Sequence, residues 1–342
     1  MEGIDERSIS AWFAANIVGA EPPLSFELIA GGRSNLTYRV GDAAGHDYVL
    51  RRPPTSHVLP TAHDMGREHR VIAALAPTPV PVPPALGLCA DDAVTGAPFY
   101  VMGYVDGHVL RDAPAAAKVL DEAARRVAGH CMVDVLAEIH AVDVDAVGLS
   151  GLGRRDGYIE RQLKRWYGQF VQSRGGWGTP VPMVDEVHDL LAARIPPQRR
   201  ATIVHGDYRL DNAMLGPDGQ VVAVLDWEIC TLGDPLADVG LLYVYWTDVD
   251  DPDPVLGVAP TAVAGFPSRA EMMARYTARS GRDLSDLGFY IAFGYWKLAC
   301  ILEGVYSRYV GGAMGGDRSG VEGFAPQVGR LAAAARAAAR SL

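Results

Sequence analysis

A group of polar residues lies between two apolar runs in the second half of the chain. The motif H-G-D-x-x-x-x-N occupies residues 205–212 after the apolar run 201–204, and Asp226 ends a second apolar run. Apolar runs of this length are typical of buried strands. Carboxylates at Asp207 and Asp226 and a carboxamide at Asn212 are oxygen groups of the kind that Mg²⁺ prefers, and a carboxylate can also take a proton from a hydroxyl. The segment therefore predicts a metal-dependent site, with Asp207 as the candidate base.

The spacing between Asn212 and Asp226 fits a β-hairpin with a glycine-bearing turn. If Leu215 pairs with Val221, Asn212 lies opposite Val224. Side chains alternate faces along a strand, so Asn212 and Asp226 would then emerge on the same face near the open end of the hairpin. A slip of one residue in this register would place them on opposite faces.

Other polar residues near this motif have structural explanations. We interpret His205 as a structural histidine that holds the loop, rather than as a catalytic group. Asp234 and Asp238 lie at the start of a predicted helix, where an aspartate side chain can accept hydrogen bonds from backbone N–H groups. Capping explains either of them, and Asp238 could also reach back to brace the loop of Asp207.

A glycine-rich segment, residues 31–35, separates two predicted strands. Because it joins two strands, rather than a strand and a helix, it is not a dinucleotide-binding fingerprint. Backbone N–H groups in such a turn can cover nucleotide phosphates, as they do in the glycine-rich loops of kinases. An ordinary hairpin turn explains the same residues, and the segment alone does not choose between the two.

A cation and a carboxylate follow this segment at positions where they can pair. Arg51 ends the third predicted strand, and Glu68 lies on the next predicted helix. Kinases hold nucleotide phosphates with such a pair, although their cation is a lysine. The first 117 residues contain no lysine, so the cation must be an arginine, which grips phosphate in a bidentate geometry. A solvated surface pair is the alternative, and Arg52 is a rival cation that points to the opposite face of the strand.

The predicted helix 289–309 is unusually rich in aromatic and charged residues. Tyr295, Lys297 and Tyr306 are candidate substrate-binding residues on this helix, and helix packing explains the aromatic residues equally well. Basic residues on the predicted helix 156–172 would favour an anionic substrate if they face the same cleft. A solvated charged face is the alternative for them.

Composition indicates an ordinary globular protein and argues against two classes of partner. The chain has 342 residues and a net charge of −10 at pH 7, which argues against nucleic-acid and anionic-membrane partners. No apolar stretch approaches the about 20 residues of a membrane span, and the acidic start lacks a signal-peptide pattern. The four cysteines lie far apart in apolar sequence, which is typical of buried thiols in a reducing compartment. We therefore expect a cytoplasmic location.

Strand and helix patterns predict a chain in two parts. After a first helix at 9–18, the strand-like runs lie at 25–29, 36–40, 47–51, 86–89 and 99–102, with a helix at 62–75. The larger part is mostly helical, with predicted helices at 115–140, 156–172, 184–193, 238–245, 269–279 and 289–309 and a terminal alanine-arginine helix. We predict two domains, residues 1–103 for nucleotide binding and residues 104–342 for catalysis and substrate binding.

With these residues in place, the chain resembles the aminoglycoside phosphotransferase and choline kinase-like family. The resemblance extends from about residue 29 to residue 309, and it rests on the glycine-rich turn, Glu68, the motif at 205–212, Asp226 and the helix start at 233–235. It implies an α+β, protein-kinase-like fold in two lobes. The small N-terminal lobe would be an antiparallel sheet with one helix, and the larger C-terminal lobe would be mostly helical. It also implies Mg²⁺-dependent transfer of the γ-phosphoryl group of ATP or GTP to the hydroxyl of a small molecule.

The resemblance also implies a role for each matching residue. Asp207 would be the base that orients and deprotonates the acceptor hydroxyl, and Asn212 and Asp226 would hold the metal. The residues that would contact the nucleotide are Gly31, Gly32, Ser34, Asn35, Arg51, Glu68, Met102, Tyr104 and Val105.

Within the family, the segments 48–54, 204–212 and 225–228 look similar to kinase-like proteins related to a domain fused to acyl-CoA dehydrogenases. Some of those proteins act on hydroxyacyl-CoA, so hydroxyacyl-CoA and other anionic metabolites are candidate acceptors. Arg51 departs from the family pattern, which has a lysine there, and this departure leaves the choice between ATP and GTP open. An aminoglycoside is polycationic and would require an acidic pocket, whereas the candidate pocket helices carry mixed charge.

Two other classes of function explain part of the sequence. A nucleotide-binding pseudokinase, serving as a regulatory or interaction module, is favoured by the missing lysine and disfavoured by the presence of Asp207, Asn212 and Asp226 together. A metallophosphatase would need further ligands, and no histidine lies near Asp226 in the sequence to complete a two-metal cluster. The leading prediction is a small-molecule kinase.

Overall fold

The structure is a computed structural model that describes residues 2–30, 35–54, 64–174, 181–257, 259–311 and 323–342. The chain divides into two compact units. The sheet unit comprises Met1–Gly107, Val147–Leu149 and Val222–Ile229. The helical unit comprises His108–Ala146, Ser150–Val221 and Cys230–Leu342.

Five antiparallel strands form the sheet unit's sheet: β1 Ser25–Ala30, β2 Leu36–Gly41, β3 Asp47–Arg52, β4 Ala85–Cys89 and β5 Phe99–Gly103. Their spatial order is β1-β2-β3-β5-β4, so β3 lies in the middle of the sheet. Thr37 of β2 pairs with Arg51 of β3 in a ladder without a bulge. The predicted strands are confirmed, and Arg51, the last residue but one of β3, has a neighbouring strand on each side.

Within its described residues, the sheet unit has two helices, α1 (Glu6–Asn16) and α2 (Met65–Leu75). Ile9 and Phe13 of α1 lie in the unit's apolar core, and their burial holds α1 to the strands. Asp64 begins α2, because its side chain accepts a hydrogen bond from the amide of Arg67. The buried face of α2 carries four apolar residues and one carboxylate: Met65, Val71, Ile72, Leu75 and Glu68.

The helical unit contains eight helices among the described residues: α3 Ala113–Val119, α4 Glu122–Ala141, α5 Tyr158–Arg174, α6 Pro182–Ala192, α7 Leu236–Tyr245, α8 Arg269–Ser280, α9 Leu287–Val310 and α10 Phe324–Arg340. The longest, α9, packs against α5, α6, α7 and α10, which explains why it is apolar on most sides. No helix in the described part of the chain is long and apolar enough to cross a membrane.

The prediction of one continuous helix over 115–140 is wrong. The chain is extended at Leu120, which ends α3, and α4 begins after Asp121. The carboxylate of Asp121 accepts a hydrogen bond from the amide of Ala124 at 2.8 Å. An aspartate cap of this kind starts a new helix, and the sequence analysis overlooked it.

The motif at 205–212 follows β6 (Thr202–Val204), which pairs antiparallel with β9 (Thr231–Gly233). A 3₁₀ helix, Leu210–Asn212, then leads into β7 (Ala213–Leu215). β7 and β8 (Val221–Val224) form a two-stranded sheet, with the amide of Gly216 donating to the carbonyl of Gln220 at 2.8 Å. This hydrogen bond is consistent with the predicted pairing of Leu215 with Val221.

The prediction that strand alternation directs Asn212 and Asp226 is wrong. Asn212 lies in the 3₁₀ helix, and Asp226 lies beyond the end of β8 with a φ of +64°. Neither residue therefore has the extended backbone on which the alternation of side chains depends.

Candidate active site

The carboxylate of Asp207 receives hydrogen bonds on both of its oxygens. The hydroxyl of Tyr245 donates to Oδ1 at 2.9 Å, and the carboxamide nitrogen of Asn212 donates to Oδ2 at 2.9 Å. Burial raises the pKa of Tyr245 well above its usual value of 10, so its hydroxyl remains a donor. These contacts hold the carboxylate in one orientation. Each oxygen has two lone pairs, so Asp207 can still accept a proton from an acceptor hydroxyl.

Asp238 holds the backbone of the loop that carries Asp207. Its carboxylate accepts hydrogen bonds from the amides of His205 at 2.7 Å and Gly206 at 2.8 Å. The side chain of His140 lies 3.3 Å from the same carboxylate. Burial opposes the charge of Asp238, but the hydrogen bonds from His140 and Gly206 and the nearby His205 outweigh it, so the pKa of Asp238 is lowered. A charged Asp238 on α7 therefore braces the loop.

Lys297 of α9 contacts the same loop from another side. Its ammonium group donates to the carbonyl of Gly206 at 2.6 Å and lies 5.5 Å from the ring centroid of Trp166. The residue is only 4% exposed, and burial lowers the pKa of its ammonium against the opposing effects of Asp207 and Asp238. Gly206 has a φ of +87°, a conformation that glycine adopts without steric cost. Both its amide and its carbonyl are thus held by charged side chains.

His205 has the structural surroundings that the sequence analysis assigned to it. His205 is fully buried, and its Nδ1 atom accepts a hydrogen bond from the amide of Asp207 at 3.3 Å. The ring also packs edge-on against Tyr208, whose hydroxyl donates to the carbonyl of Met132 on α4. His205 therefore helps to shape the loop and anchor it to its unit.

In the sheet unit, Arg51 and Glu68 form a buried ion pair. Nη1 of Arg51 lies 2.7 Å from Oε1 of Glu68, and Nη2 lies 3.4 Å from Oδ1 of Asp226. Burial opposes the charge of Arg51, but Glu68 and the other nearby acidic groups outweigh it, so the pKa of the guanidinium is raised. The alternative of a solvated surface pair is wrong, because Glu68 is fully buried and Arg51 is 8% exposed. Arg52 binds the carbonyls of Gly3 and Thr95 instead.

Asp226 is strained. It is the one residue other than glycine with a positive φ in the part of the chain that the structure describes. This conformation costs an L-residue on the order of 1–2 kcal/mol, and aspartate and asparagine tolerate it better than bulkier residues. Strain that a fold retains is concentrated at functional sites. The backbone of Asp226 agrees with the role predicted for it, and that role stays a prediction.

The candidate ligands fit a Mg²⁺ ion that arrives with a nucleotide. Asn212 uses its carboxamide nitrogen on Asp207, so its oxygen is the atom that it can offer to a cation. Among the described residues, no group of three or more His, Cys, Asp or Glu side chains could hold a metal ion. Mg²⁺ at a phosphate site takes only one or two carboxylates from a protein, because phosphates and waters supply its other oxygens. The oxygen donors of Asn212 and of Asp226 are each of the kind that Mg²⁺ prefers, and their binding to one ion stays a prediction.

The other predicted nucleotide-binding residues have varied surroundings. Asn35 is buried, and its carboxamide donates to Oε2 of Glu228 at 3.2 Å. Met102 is buried in β5, Tyr104 packs under the guanidinium of Arg39 at 4.7 Å, and Val105 is half-buried. Gly31, Gly32 and Ser34 lie outside the described residues. Nucleotide contacts by all of these residues stay a prediction.

The three candidate substrate-binding residues lie on α9. Lys297 is engaged with Gly206 as described, Tyr295 is buried, and Tyr306 is half-buried. The burial of Tyr295 agrees with the alternative of helix packing. Direct contact between these residues and a substrate stays a prediction.

The sequence analysis did not identify Tyr245 as a site residue. Tyr245 lies seven residues after Asp238 on α7, which is about two helical turns, so the two side chains share one face. That spacing from a candidate bracing residue was the available signal. It was weak because the whole of α7 is apolar and nearly all of it is buried.

A model of the phosphotransferase enzyme family matches residues 25–272. The match covers more than half of the chain and includes Arg51, Glu68, Asp207, Asn212 and Asp226. The chain belongs to the phosphotransferase enzyme family. The family predicted from the sequence is therefore confirmed.

Relatives of this phosphotransferase include larger proteins. Acyl-CoA dehydrogenase family member 10 of mouse is 37% identical over 286 residues, which are 82% of this chain and 26% of the mouse protein. The chain thus spans about a quarter of the length of that relative. The crystal structure of a protein from Ralstonia eutropha JMP134 is 33% identical, with a TM-score of 0.82 and 98% of each chain covered.

A solved spectinomycin phosphotransferase, in complex with ADP and spectinomycin, has a TM-score of 0.63 with 98% of each chain covered. Its identity is 10%, so this likeness concerns the fold. Together with the observed sheet and helices, these structures confirm the predicted α+β, protein-kinase-like fold.

Proposed function

We propose that this phosphotransferase transfers the γ-phosphoryl group of ATP or GTP to a hydroxyl of a small molecule, with Asp207 as the base. The observation that carries the proposal is the arrangement of Asp207. Its carboxylate is oriented by Tyr245 and Asn212, and its loop is held by Asp238 and Lys297. Phosphoryl transfer depends mainly on positioning and charge stabilisation, so a rigidly oriented carboxylate is the feature that this reaction needs.

In the proposed reaction, Asp207 accepts a hydrogen bond from the acceptor hydroxyl and then its proton as the new P–O bond forms. The bond between the γ-phosphorus and the β,γ-bridging oxygen breaks at the same centre, and the nucleoside diphosphate leaves with that oxygen. Arg51 remains charged because of Glu68 and binds the phosphates of the nucleotide. Asn212 and Asp226 are the ligands that the chain would contribute to Mg²⁺. The ion would neutralise charge on the phosphates. ADP bound to the spectinomycin phosphotransferase supports an adenine nucleotide as donor.

Hydroxyacyl-CoA and other anionic metabolites are the acceptors that we propose. The mouse relative is named as a member of the acyl-CoA dehydrogenase family, and this chain matches about a quarter of it. A kinase segment joined to an acyl-CoA dehydrogenase would lie next to an enzyme that binds acyl-CoA compounds. This support concerns the relative, and the acceptor of this chain has to be identified by assay.

The substitution Asp207→Asn tests the proposal. It keeps the size of the side chain and removes the charge, so we expect the turnover number to fall by about 100- to 10,000-fold, the usual contribution of a general base. The affinity for MgATP should remain close to that of the wild type, because Asp207 is not a proposed nucleotide ligand. ADP release in the presence of acceptor and titration with a fluorescent nucleotide measure the two quantities.

Asp92→Asn is the matched control, because Asp92 is exposed in the sheet unit. This variant should retain wild-type activity. Turnover by Asp207→Asn within a few-fold of the wild type would exclude Asp207 as the base.

A nucleotide-binding pseudokinase remains the alternative, and the replacement of the family lysine by Arg51 is what favours it. A single experiment distinguishes the two functions. ATP is titrated with and without Mg²⁺, and the formation of ADP is then followed. A pseudokinase binds ATP and forms no ADP with any acceptor. The proposed kinase binds ATP more tightly with Mg²⁺ and forms ADP.

A further inference from the structure

A cavity of about 200 Å³ lies in the helical unit beside Asp207. Its wall includes Tyr245 and Arg209, and both of these side chains approach the carboxylate of Asp207. The hydroxyl of Tyr245 donates to Oδ1 at 2.9 Å, and Nε of Arg209 lies 3.6 Å from Oδ2. The wall of the cavity is therefore connected to the carboxylate of Asp207 through these two side chains.

The charges in the cavity wall are not balanced. Nη2 of Arg209 lies 3.1 Å from Oδ2 of Asp211, so Arg209 is compensated by Asp211 and by Asp207. Arg111 is a second cation in the wall; it is exposed, and no described residue forms an ion pair with it. Arg111 is therefore a cation of the cavity wall for which the described part of the chain supplies no ion-pair partner.

The remaining wall is mostly apolar. Leu242, Trp246 and Leu256 contribute to it, together with Ala259 and Pro260. A hydrocarbon segment would be favoured by this surface, because it loses contact with water there. The cavity can hold only the reacting end of a larger acceptor, so the rest of such a molecule would extend past the exposed side chain of Arg111.

We propose that this cavity is the acceptor site and that Arg111 selects acceptors which carry an oxyanion, a carboxylate or a phosphate, on a short apolar chain that also bears the hydroxyl. This proposal rests on the proposed phosphotransferase function and names its substrate class. An arginine binds either oxyanion through paired N–H donors, which gives both affinity and orientation. The hydroxyl lies at the Asp207 end of the cavity and the oxyanion lies against Arg111.

The same charges disfavour cationic acceptors. An amino alcohol, choline or an aminoglycoside would bring a positive charge to a wall with two guanidinium groups and one carboxylate. Recognition of a cation would require unpaired carboxylates, and Asp211 already pairs with Arg209. Arg111 therefore disfavours the binding of acceptors that carry ammonium groups.

The test is a panel of hydroxyl compounds matched in carbon skeleton and different in charge. One set is 3-hydroxybutyrate, its diol butane-1,3-diol and its amine 4-amino-2-butanol, and similar sets cover neighbouring chain lengths. A second arm contains hydroxyalkyl phosphates, which distinguish a phosphate from a carboxylate as the oxyanion. It also contains hydroxyacyl-CoA thioesters, whose phosphates lie on the CoA portion and not on the chain that bears the hydroxyl. Acceptor-dependent ADP release is measured for the wild type and for Arg111→Gln, Arg111→Lys and Arg111→Glu. Lys118→Gln is the control, because it removes one positive charge from an exposed position on α3.

The proposal predicts that oxyanion acceptors stimulate ADP release by the wild type and that the diols and amines do so much less. Arg111→Gln should lower kcat/KM for the oxyanion acceptors by about 10- to 100-fold, mostly through a higher KM, which is the effect of losing a charge-assisted hydrogen bond. Arg111→Lys should restore part of this loss, Arg111→Glu should reverse the preference toward the amines, and Lys118→Gln should behave as the wild type.

Three results would overturn the acceptor site: stimulation by the amines or diols as strong as by the oxyanions, no stimulation by any oxyanion compound, or a kcat/KM for Arg111→Gln within about two-fold of the wild type. Titration of MgATP and basal ADP formation separate this failure from failure of the proposed function. If the wild type binds MgATP and forms ADP slowly in a manner that depends on Asp207, the phosphotransferase proposal stands while the acceptor site falls. If no variant binds MgATP, the proposed function itself fails.

Discussion

The ammonium group of Lys297 is buried among helices, where desolvation disfavours its charge. Its hydrogen-bond partner is the carbonyl of Gly206, next to Asp207, and Trp166 faces it from α5. Burying an ammonium group that has one backbone hydrogen-bond partner and one aromatic neighbour costs free energy. We expect such a group to be retained where the segment that it holds has a functional role. We therefore regard Lys297 as a positioning residue for the loop of Asp207.

Replacing Lys297 by methionine tests this role at the scale of a single residue. The variant keeps the apolar stem and leaves the Gly206 carbonyl without its donor, so we expect about 1–3 kcal/mol of lost stability. Turnover should fall by about 10-fold while the KM for MgATP changes little, because the substitution affects the orientation of Asp207 and not the nucleotide. Urea unfolding and steady-state kinetics measure the two effects.

Lys297→Arg should recover part of the turnover if a donor to Gly206 is what matters. Lys164→Met is the matched control, since Lys164 is an exposed lysine on α5. A Lys297→Met enzyme that loses stability but keeps wild-type turnover would show that the lysine is structural only.

At the scale of elements, the packing of α7 against α9 determines where three site residues lie. α7 carries Asp238 and Tyr245, and α9 carries Lys297. Gly240 of α7 makes the close approach possible: a Cβ atom there would come within 2.5 Å of the carbonyl oxygen of Tyr290 on α9. The two helices can therefore be this close only with glycine at position 240.

Gly240→Ala should force α7 and α9 apart. Overpacking of this kind costs about 1–3 kcal/mol, and it should also lower turnover because Asp238, Tyr245 and Lys297 all shift relative to Asp207. The free energy of unfolding and kcat are the quantities to measure.

Gly168→Ala on α5 is the matched control, because a Cβ atom there has no neighbour within 4 Å. That variant should gain up to about 1 kcal/mol from the higher helix propensity of alanine and keep its activity. Equal stability and turnover for the two alanine variants would contradict the packing argument.

At the scale of the whole molecule, the acid side of the stability profile should depend on the pair of His140 and Asp238. His140 is fully buried, and this burial lowers its pKa below the ordinary 6.5. The pKa of Asp238 is lowered as well. A group whose pKa is lower in the folded chain stabilises it above the unfolded pKa and loses that contribution as the pH falls. Stability should therefore be constant above about pH 7 and should decrease below pH 6.5.

The slope of the free energy of unfolding against pH measures how many titrating groups are involved. A single group such as His140 contributes about 1.4 kcal/mol per pH unit between its unfolded and folded pKa values. His69 and His130 also have lowered pKa values, so unfolding by urea at pH 5 to 8 should give at least this slope for the wild type and a shallower one for His140→Gln. His108→Gln, at an exposed position, is the control. An unchanged slope in His140→Gln would assign the acid sensitivity to other residues.

Predictions from the sequence were most successful where the relevant interactions are local. The strands, α2 and the loop after β6 follow from hydrophobic periodicity and turn residues, which act between neighbours. The structure also brings Arg51 and Glu68 into contact, as the strand and helix positions suggested. The strand alternation predicted for Asn212 and Asp226 was wrong because a 3₁₀ helix and a left-handed residue lie at these positions, and periodicity does not encode either feature.

The sequence by itself determined the family, the two kinds of secondary structure and the identity of Asp207 as the candidate base. Only the tertiary structure decided which distant side chains meet that base. Tyr245 lies 38 residues from Asp207, and Lys297 lies 91 residues from Gly206, yet both contact the loop. Such contacts depend on how whole helices pack, for which a glycine at position 240 is required, and a linear pattern of apolar residues does not specify that packing.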